Sequence, residues 1–313
     1  MSLDAQCQAL IDLVNQAGGT PFDAEDQYAA RAAYRNSIAL YTHPTPAMQD
    51  VSDHQITGPD GNDLRLRVYT PESSGETGAL MFFHGGGWAV GDLDTHDHVC
   101  RYVAGKADTK VIAVDYRLAP EHPFPAAFDD CLHATSWVFE NAKALNVDPM
   151  RIAVAGDSAG GNLAAACAIA LRDHETLRLK YQLLVYPACD LTANHPSMQE
   201  NAEGYLLSTR AMHQFIDWYV PDKRLRTDYR ASPQLAASHA DLPPAYVITA
   251  GYDPLRDDGK HYADTLRAAG VQTQYQCYAG MVHGFLRMGA KIDVAIRALD
   301  ELSDVLRAAL NNP

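Results

Sequence analysis

One serine in this chain stands in a setting that could make it a nucleophile. Ser158 is the central residue of a Gly-x-Ser-x-Gly pentapeptide, with Gly156 and Gly160 at its ends. An apolar run at 151–155 precedes it and an Ala-rich run at 162–171 follows, which is typical of a buried strand leading into a helix. Because only glycine tolerates very close backbone approach without strain, we predict that Ser158 is held on a sharp strand-to-helix turn. An ordinary strand-to-helix turn is the alternative interpretation.

A serine hydroxyl attacks a carbonyl only with the help of a general base and a group that orients this base. The acid candidate is Asp253, after the apolar run 245–250, and the base candidate is His283, after the run 272–277. Taken singly, Asp253 before a proline is a common helix N-cap, and His283 is one of 13 histidines. The chain order of serine, acid and histidine, each after its own predicted strand, favours a catalytic triad.

A glycine-rich segment could supply donors for the oxyanion that such an attack creates on the substrate. The segment directly follows an apolar run and consists of His84, Gly85, Gly86, Gly87 and Trp88. Three consecutive glycines leave backbone N–H groups open to a ligand. A flexible loop is the alternative, but the apolar flanks disfavour it. A phosphate-binding loop is excluded because no Lys-Ser/Thr pair follows.

The elements that must position these residues alternate regularly from residue 79 onward. Predicted strands lie at 79–83, 111–115, 151–155, 181–186, 245–250 and 272–277. Predicted helices lie at 95–106, 125–145, 162–173, 257–269 and 290–310. This alternation indicates an α/β fold with a mostly parallel central sheet and helices on both faces. The runs 52–58 and 63–70 predict an antiparallel hairpin at one sheet edge.

Two segments interrupt the alternation and predict a helical cap. Residues 1–45 show helical spacing and no strand, and residues 190–242 contain one helix candidate and no strand. The α/β core is then divided into 46–189 and 243–313. The apolar residues of the insertion either anchor its helix or form a lid that supplies an acyl pocket, and the two interpretations are compatible. Candidate pocket residues are Trp88, Tyr205, Leu206 and Phe215.

Taken together, these motifs resemble those of the hormone-sensitive-lipase-like carboxylesterases, in the bacterial branch with a Gly-Asp-Ser-Ala-Gly turn. The resemblance covers residue 60 to the C-terminus and is carried by the stretches 84–88, 91–97, 115–127, 156–160, 253–257 and 283–285. It implies an α/β-hydrolase fold with a helical cap. It also implies a cofactor-free, metal-free ester hydrolase that forms an acyl-enzyme on short- to medium-chain acyl esters.

The same resemblance implies a role for each matching position. Ser158 would be the nucleophile, His283 the general base and Asp253 its orienting carboxylate. The oxyanion hole would be formed by the N–H groups of Gly86, Gly87 and Ala159. Supporting positions are His84, Gly85, Asp157 and Asp257. Asp257 is a second carboxylate near the histidine or simply an acid in the first turn of a helix. An amide hydrolase and a receptor on an inactive hydrolase scaffold are the alternative functions.

The composition of the chain limits the classes of partner that the protein could bind. The 313 residues carry a net charge of −14, which argues against nucleic acid or an anionic membrane as the main partner. No apolar run is long enough to span a bilayer, and no secretory signal is recognisable. Six scattered cysteines indicate reduced packing residues and not a disulfide framework. We therefore expect a cytoplasmic protein whose partner is a small-molecule ester, with a homodimer left open.

Overall fold

The computed structural model describes residues 2–19, 22, 26–72 and 75–311 of the chain. Residues 1, 20, 21 and 23–25 of the predicted N-terminal cap segment lie outside the described residues. A single mixed sheet organises the chain, with the strand order β1-β2-β4-β3-β5-β6-β7-β8. The strands are β1 Asp50–Thr57, β2 Asp63–Thr70, β3 Thr77–Phe83, β4 Lys110–Asp115, β5 Val147–Asp157, β6 Tyr181–Val185, β7 Ala245–Tyr252 and β8 Thr273–Val282.

Strand direction divides the sheet into two parts. The hairpin β1–β2 is antiparallel, and β2 pairs antiparallel with β4. All pairs from β4 to β8 are parallel. The carboxyl ends of β3, β5, β7 and β8 therefore lie on one side of the molecule, and the residues that follow them meet there.

Helices cover both faces of the sheet. They are α1 Ala5–Gln16, α2 Gln27–Asn36, α3 Ile38–Tyr41, α4 Asp97–Ala107, α5 Ala126–Glu140, α6 Ala159–Leu171, α7 Pro196–Glu200, α8 Thr209–Tyr219, α9 Arg256–Ala268 and α10 Asp293–Asn311. Alternate residues of β3 enter different cores: Met81 packs with α5, α6 and α9, and Leu80 and Phe82 pack with α4 and α10. Each central strand is thus buried on both sides, which explains why these strands are continuous apolar runs.

The predicted fold class is confirmed, and the corrections concern element ends. β8 does not stop at residue 277 but continues to Val282, because its pairing with β7 resumes after an irregularity between Ala250 and Tyr252. Pairing across the sheet overrides the weak strand propensity of the glycine at 280. The helix predicted at 125–145 ends at Glu140. His283 therefore directly follows its strand.

The two interrupting segments contribute helices and, among their described residues, no strand. In the N-terminal segment, α1 buries Cys7, Leu10, Ile11 and Val14. In the insertion, α8 buries an apolar face that includes Phe215. The two segments meet where the rings of Phe22 and Phe215 lie 5.8 Å apart. The division of the chain into core and cap units stays a prediction. Within the described part of the chain, no helix combines the length and apolarity that a membrane crossing needs.

Candidate active site

The turn between β5 and α6 places a serine on a constrained backbone. Ser158 alone separates the two elements, and its φ of 58° and ψ of −118° lie outside the regions that non-glycine residues usually occupy. A Cβ on Gly160 would lie 1.8 Å from the carbonyl oxygen of Phe83, and one on Gly156 would lie 2.2 Å from Gly160. The Ser158 N–H donates to the carbonyl of Val185 at 2.8 Å. Both positions therefore have room only for glycine, and contacts with the neighbouring strands hold the turn in place.

Ser158, His283 and Asp253 form a continuous hydrogen-bonded chain. Ser158 Oγ lies 2.9 Å from His283 Nε2, and His283 Nδ1 lies 2.7 Å from Asp253 Oδ2. All three side chains are buried. The second carboxylate oxygen of Asp253 accepts the N–H of Leu255 at 2.8 Å. Because α9 begins after Leu255, Asp253 is not the N-cap of this helix. With the proton on Nδ1, Nε2 can accept the hydroxyl proton of serine.

The glycine-rich loop after β3 presents unpaired backbone donors. Gly86 and Gly87 have φ values of 127° and 57°, a region that favours glycine. The Gly86 carbonyl accepts the N–H groups of Ala89 and Val90, which fixes the loop. Among the described residues, the N–H groups of Gly86 and Gly87 make no backbone hydrogen bond. Ala159 is the first residue of α6, so its N–H has no acceptor within the helix.

Asp157 ties the glycine-rich loop to the serine turn. Its Oδ1 accepts the N–H of Gly85 at 2.8 Å, and His96 Nε2 lies 3.2 Å from the same oxygen without hydrogen-bond alignment. Burial alone would raise the pKa of Asp157, but His96, Arg287 and the Gly85 N–H together lower it to about 2. Burial lowers the pKa of His96 to about 4. At neutral pH, a carboxylate anion therefore holds the loop beside a neutral imidazole.

His84 supports the same loop from behind. Its Nδ1 lies 2.9 Å from the carbonyl oxygen of Gly85, and its ring stacks on Tyr116 at 4.3 Å. The Tyr116 hydroxyl donates to the His84 carbonyl at 2.7 Å. Burial lowers the pKa of His84, so its ring is neutral at pH 7. These contacts hold His84 behind the loop, and it does not face the cavity.

Among the described residues, the contacts of Asp257 are with groups other than His283. It lies in the first turn of α9, accepts the N–H of Ser197 at 2.9 Å and pairs with Arg256 at 2.7 Å. Desolvation opposes ionisation, yet Arg256 and the Ser197 N–H lower the pKa of Asp257. Its contacts join α7 to α9. No three His, Cys, Asp or Glu side chains converge as a potential metal site in the described part of the chain.

A cavity opens onto Ser158 and His283 between the core and the cap. Two of the candidate pocket residues, Leu206 and Phe215, line it. Trp88 and Tyr205 do not. Trp88 is fully buried, stacks on Tyr219 at 4.6 Å and donates to Asn162 at 3.3 Å, and the ring of Tyr205 packs on another tyrosine, at position 252. In a sequence, a large aromatic residue next to a site predicts that its side chain is buried. It does not predict on which side of the loop that side chain packs.

Most of the cavity wall escaped the sequence analysis. The further lining residues are Val14, Phe22, Tyr34, Ser37, Tyr41, Leu207, Met212, Gly284, Arg287 and Met288. Helical spacing predicts that Val14 is buried, but it does not say against what. The one chemical signal was a charged residue, Arg287, inside the apolar stretch that follows His283.

Comparisons with known proteins agree with this geometry. Residues 80–287 match a family model described as the alpha/beta hydrolase fold. The chain is 41% identical over 287 residues to the esterase LipI of Mycobacterium tuberculosis, which covers 90% of this chain and 88% of that protein. It is 37% identical over 319 residues to the ethyl acetate hydrolase of Pseudomonas putida, which covers 99% and 100%. The solved structure of ester-hydrolase EH1AB1 from the metagenome of Lake Arreo has a TM-score of 0.94 at 39% identity, with 99% and 100% covered.

Proposed function

The chain belongs to the α/β-hydrolase fold family, in its hormone-sensitive-lipase-like branch, and is a carboxylic ester hydrolase; from that premise we propose that Ser158, His283 and Asp253 carry its chemistry. The observation that supports this assignment is the unbroken line of hydrogen bonds from Ser158 Oγ through His283 to Asp253, at 2.9 and 2.7 Å. Hydrogen-bond contact of nucleophile with base, and of base with an orienting group, is the geometric signature of nucleophilic catalysis.

Acylation begins with transfer of the hydroxyl proton of Ser158 to His283 Nε2 as Oγ attacks the ester carbonyl carbon. The carbonyl π electrons move to oxygen and form a tetrahedral oxyanion. The N–H groups of Gly86, Gly87 and Ala159 donate to this oxygen as its charge develops. Asp253 keeps the imidazole in the tautomer with the proton on Nδ1 and stabilises the imidazolium that forms.

Collapse of the tetrahedral intermediate breaks the bond to the alcohol, which leaves with the proton from His283 Nε2. The acyl group is then covalently bound to Ser158 Oγ. A water molecule gives a proton to the same Nε2 and attacks the acyl carbon, and a second tetrahedral intermediate expels Oγ. Oγ recovers its proton from His283, so the cycle yields one acid and one alcohol and restores the enzyme.

We propose short- to medium-chain acyl esters as substrates. The cavity is closed by cap residues such as Leu206, Met212 and Phe215, which limits the room for an acyl chain. A relative similar over nearly the whole chain is named for hydrolysis of ethyl acetate, a very short ester. Among the described residues, the large exposed apolar side chains lie on separate elements; they are Leu13, Tyr28, Met150, Leu225 and Leu235.

The finer cellular assignments are also proposals. The six cysteines are free and five of them are buried, which supports a reducing, cytoplasmic location. A homodimer is the assembly we propose to test, since the outer edge of β8 is unpaired within the described sheet. Cell fractionation and analytical ultracentrifugation measure the two properties directly.

The deciding experiment is a chain-length series of p-nitrophenyl esters, hydrolysed by wild type, S158A and the control S136A. Ser136 lies on α5, and its hydroxyl donates to the carbonyl of Leu132 in the same helix. We expect turnover that is highest on short chains, is absent in S158A and is unaltered in S136A. Turnover that survives in S158A would exclude Ser158 as nucleophile. Hydrolysis of matched amides alone, or binding of esters without turnover, would favour an amide hydrolase or a receptor.

A further inference from the structure

Arg287 is a buried cation in the wall of the catalytic cavity, and the mechanism above gives it no task. It closes the short 3₁₀ turn Phe285–Arg287, four residues after His283, and is only 5% exposed. Its side chain lines the same cavity as Ser158 and His283. Charged residues are seldom buried without a paired group, so a guanidinium in this position requires an explanation.

The contacts of Arg287 within the protein satisfy its charge only in part. Its guanidinium carbon lies 4.2 Å from the centre of the Tyr34 ring and 5.8 Å from that of Tyr41. These are cation–π contacts, which attract the charge but accept no N–H. Among the described residues, Nε and Nη2 have no hydrogen-bond acceptor.

The carboxylate whose ionisation Arg287 favours, Asp157, already has other partners. Arg287 helps to lower its pKa through space, but the carboxylate accepts the N–H of Gly85 and lies beside His96. Buried donors without acceptors cost free energy unless a ligand supplies the acceptor. Because Arg287 lines the cavity, a bound substrate could supply the acceptor. A planar guanidinium is suited to two parallel hydrogen bonds from a carboxylate.

We propose that Arg287 makes this enzyme selective for esters that carry a carboxylate a few bonds from the scissile ester. The inference rests on the proposed function, since it requires the ester to occupy the cavity beside Ser158. Two substrate classes share this chemistry. In monoesters of short dicarboxylic acids the carboxylate is on the acyl side, and in acylated hydroxy acids it is on the alcohol side. In both classes, Ser158 attacks the ester carbonyl in the same way.

The test measures kcat/KM by acid release for two pairs of substrates of matched shape. Monoethyl glutarate is compared with ethyl 5-methylhexanoate for the acyl side, and 4-acetoxybutanoate with 4-methylpentyl acetate for the alcohol side. Each pair differs only in a carboxylate against an isopropyl group. The quantity of interest is the ratio of kcat/KM within a pair, because a general loss of activity cancels in the ratio.

Wild type, R287M, R287K and R297M are compared. Arg297 is exposed on α10, so R297M removes one positive charge as R287M does, but at the surface. We expect wild type to prefer the carboxylate ester in one of the pairs, which identifies the side. R287M should lower that ratio by about 10- to 100-fold, the effect of losing a hydrogen-bonded charge partner. R287K should retain part of the preference, and R297M all of it.

Two outcomes would overturn the proposal. One is a wild-type ratio of one or less in both pairs, which needs no variant and therefore holds even if R287M fails to fold. The other is a ratio that R287M leaves unchanged, which would make Arg287 a charge partner of Asp157 and no more. Hydrolysis of the uncharged esters that S158A abolishes would still support the proposed function. Absence of hydrolysis of every ester, charged and uncharged, would count against that function itself.

Discussion

On the core side of the cavity, the groups that face the substrate are held by backbone; on the cap side, they are held by side-chain packing. Gly86 and Gly87 have positive φ angles in a loop fixed by hydrogen bonds. Ser158 lies between Gly156 and Gly160, and neither glycine position has room for a Cβ. Across the cavity, Leu206, Met212 and Phe215 contribute apolar side chains. Backbone-held groups define positions within tenths of an ångström, whereas packed side chains define a volume.

This difference separates chemistry from selectivity. A change to the backbone-held groups of the core side displaces the reacting atoms or the oxyanion donors, and every substrate is affected alike. A change on the cap side alters the shape of the cavity, and substrates are affected according to their size. Variants on the two sides of the cavity should therefore show these two kinds of effect.

Ser158 and His283 should act as one unit. We expect S158A and H283A each to lower kcat for a short-chain ester by about 10⁴- to 10⁶-fold, and the double variant to lose no more than either alone. Circular dichroism of each variant checks that the fold is retained. Losses that multiply in the double variant would show that the two residues act independently, which the proposed mechanism does not allow.

The oxyanion loop should show the next largest effect. A Cβ on Gly86 would lie 2.2 Å from the carbonyl oxygen of Val90, so G86A must move the loop. We expect kcat to fall by about 100- to 1000-fold, as for loss of an oxyanion donor. Gly270 is the control: it also has a positive φ, but nothing lies within 4 Å of its Cβ position. If G270A and G86A lose equal activity, the loop has no special role.

Gly87 is where the core side touches the cap. A Cβ at this position would lie 2.4 Å from the ring of Phe215. We expect G87A to lower kcat/KM by about 10- to 100-fold and F215A alone by less than about 10-fold, with a shift toward bulkier acyl chains. The double variant should recover part of the G87A loss, because the clash is relieved. No recovery would mean that the strained φ of residue 87, and not the cap, causes the loss.

Asp258 should give the smallest effect, on stability and not on rate. It is buried where the inserted segment leaves the core, and it accepts the N–H groups of Cys189 and Asp190 at 2.8 and 3.3 Å. Burial raises the pKa of Asp258 to about 8. An unfolded aspartate titrates near about 3.9. Between these values the folded protein holds a proton that the unfolded chain releases, so stability falls as pH rises through this window.

We therefore expect the Tm of wild type to decrease from pH 5 to pH 8 by more than that of D258N, which has no carboxyl group to titrate. The exposed Asp63 supplies the control variant D63N, whose pH dependence should follow wild type. Differential scanning calorimetry at several pH values measures all three. Parallel curves for wild type and D258N would show that Asp258 is ionised in the fold at neutral pH.

The sequence was sufficient for the fold because its signals are local. Each parallel strand is buried on both faces and is therefore a short apolar run, and each run precedes a helix. The predicted end of β8 was wrong because pairing with β7 extends the strand past Gly280 to Val282. That pairing is a contact between distant parts of the chain, which local propensity does not contain.

The residues of the candidate site also fall into two groups, those placed by local sequence patterns and those placed by long-range packing. Ser158, Asp253 and His283 stand at strand ends, so a strand pattern alone brings them to one edge of the sheet. The cap residues come together only through packing between segments far apart in sequence, as Phe22 and Phe215 do. Trp88 illustrates what the sequence does not contain. Its position at the end of the glycine-rich segment was evident, but its side chain stacks on Tyr219 and does not line the cavity.

The helix that begins at the serine turn has an electrostatic consequence for catalysis. α6 is buried along almost its whole length, from Ala159 to Leu171, and its first turn points at Ser158. The aligned peptide dipoles place about half a positive charge at this end, where the oxyanion forms. Counterions screen such a field only where solvent reaches the helix. We therefore expect the rate on an uncharged ester to stay nearly constant between low and high ionic strength, because the field that helps the reaction lies inside the protein.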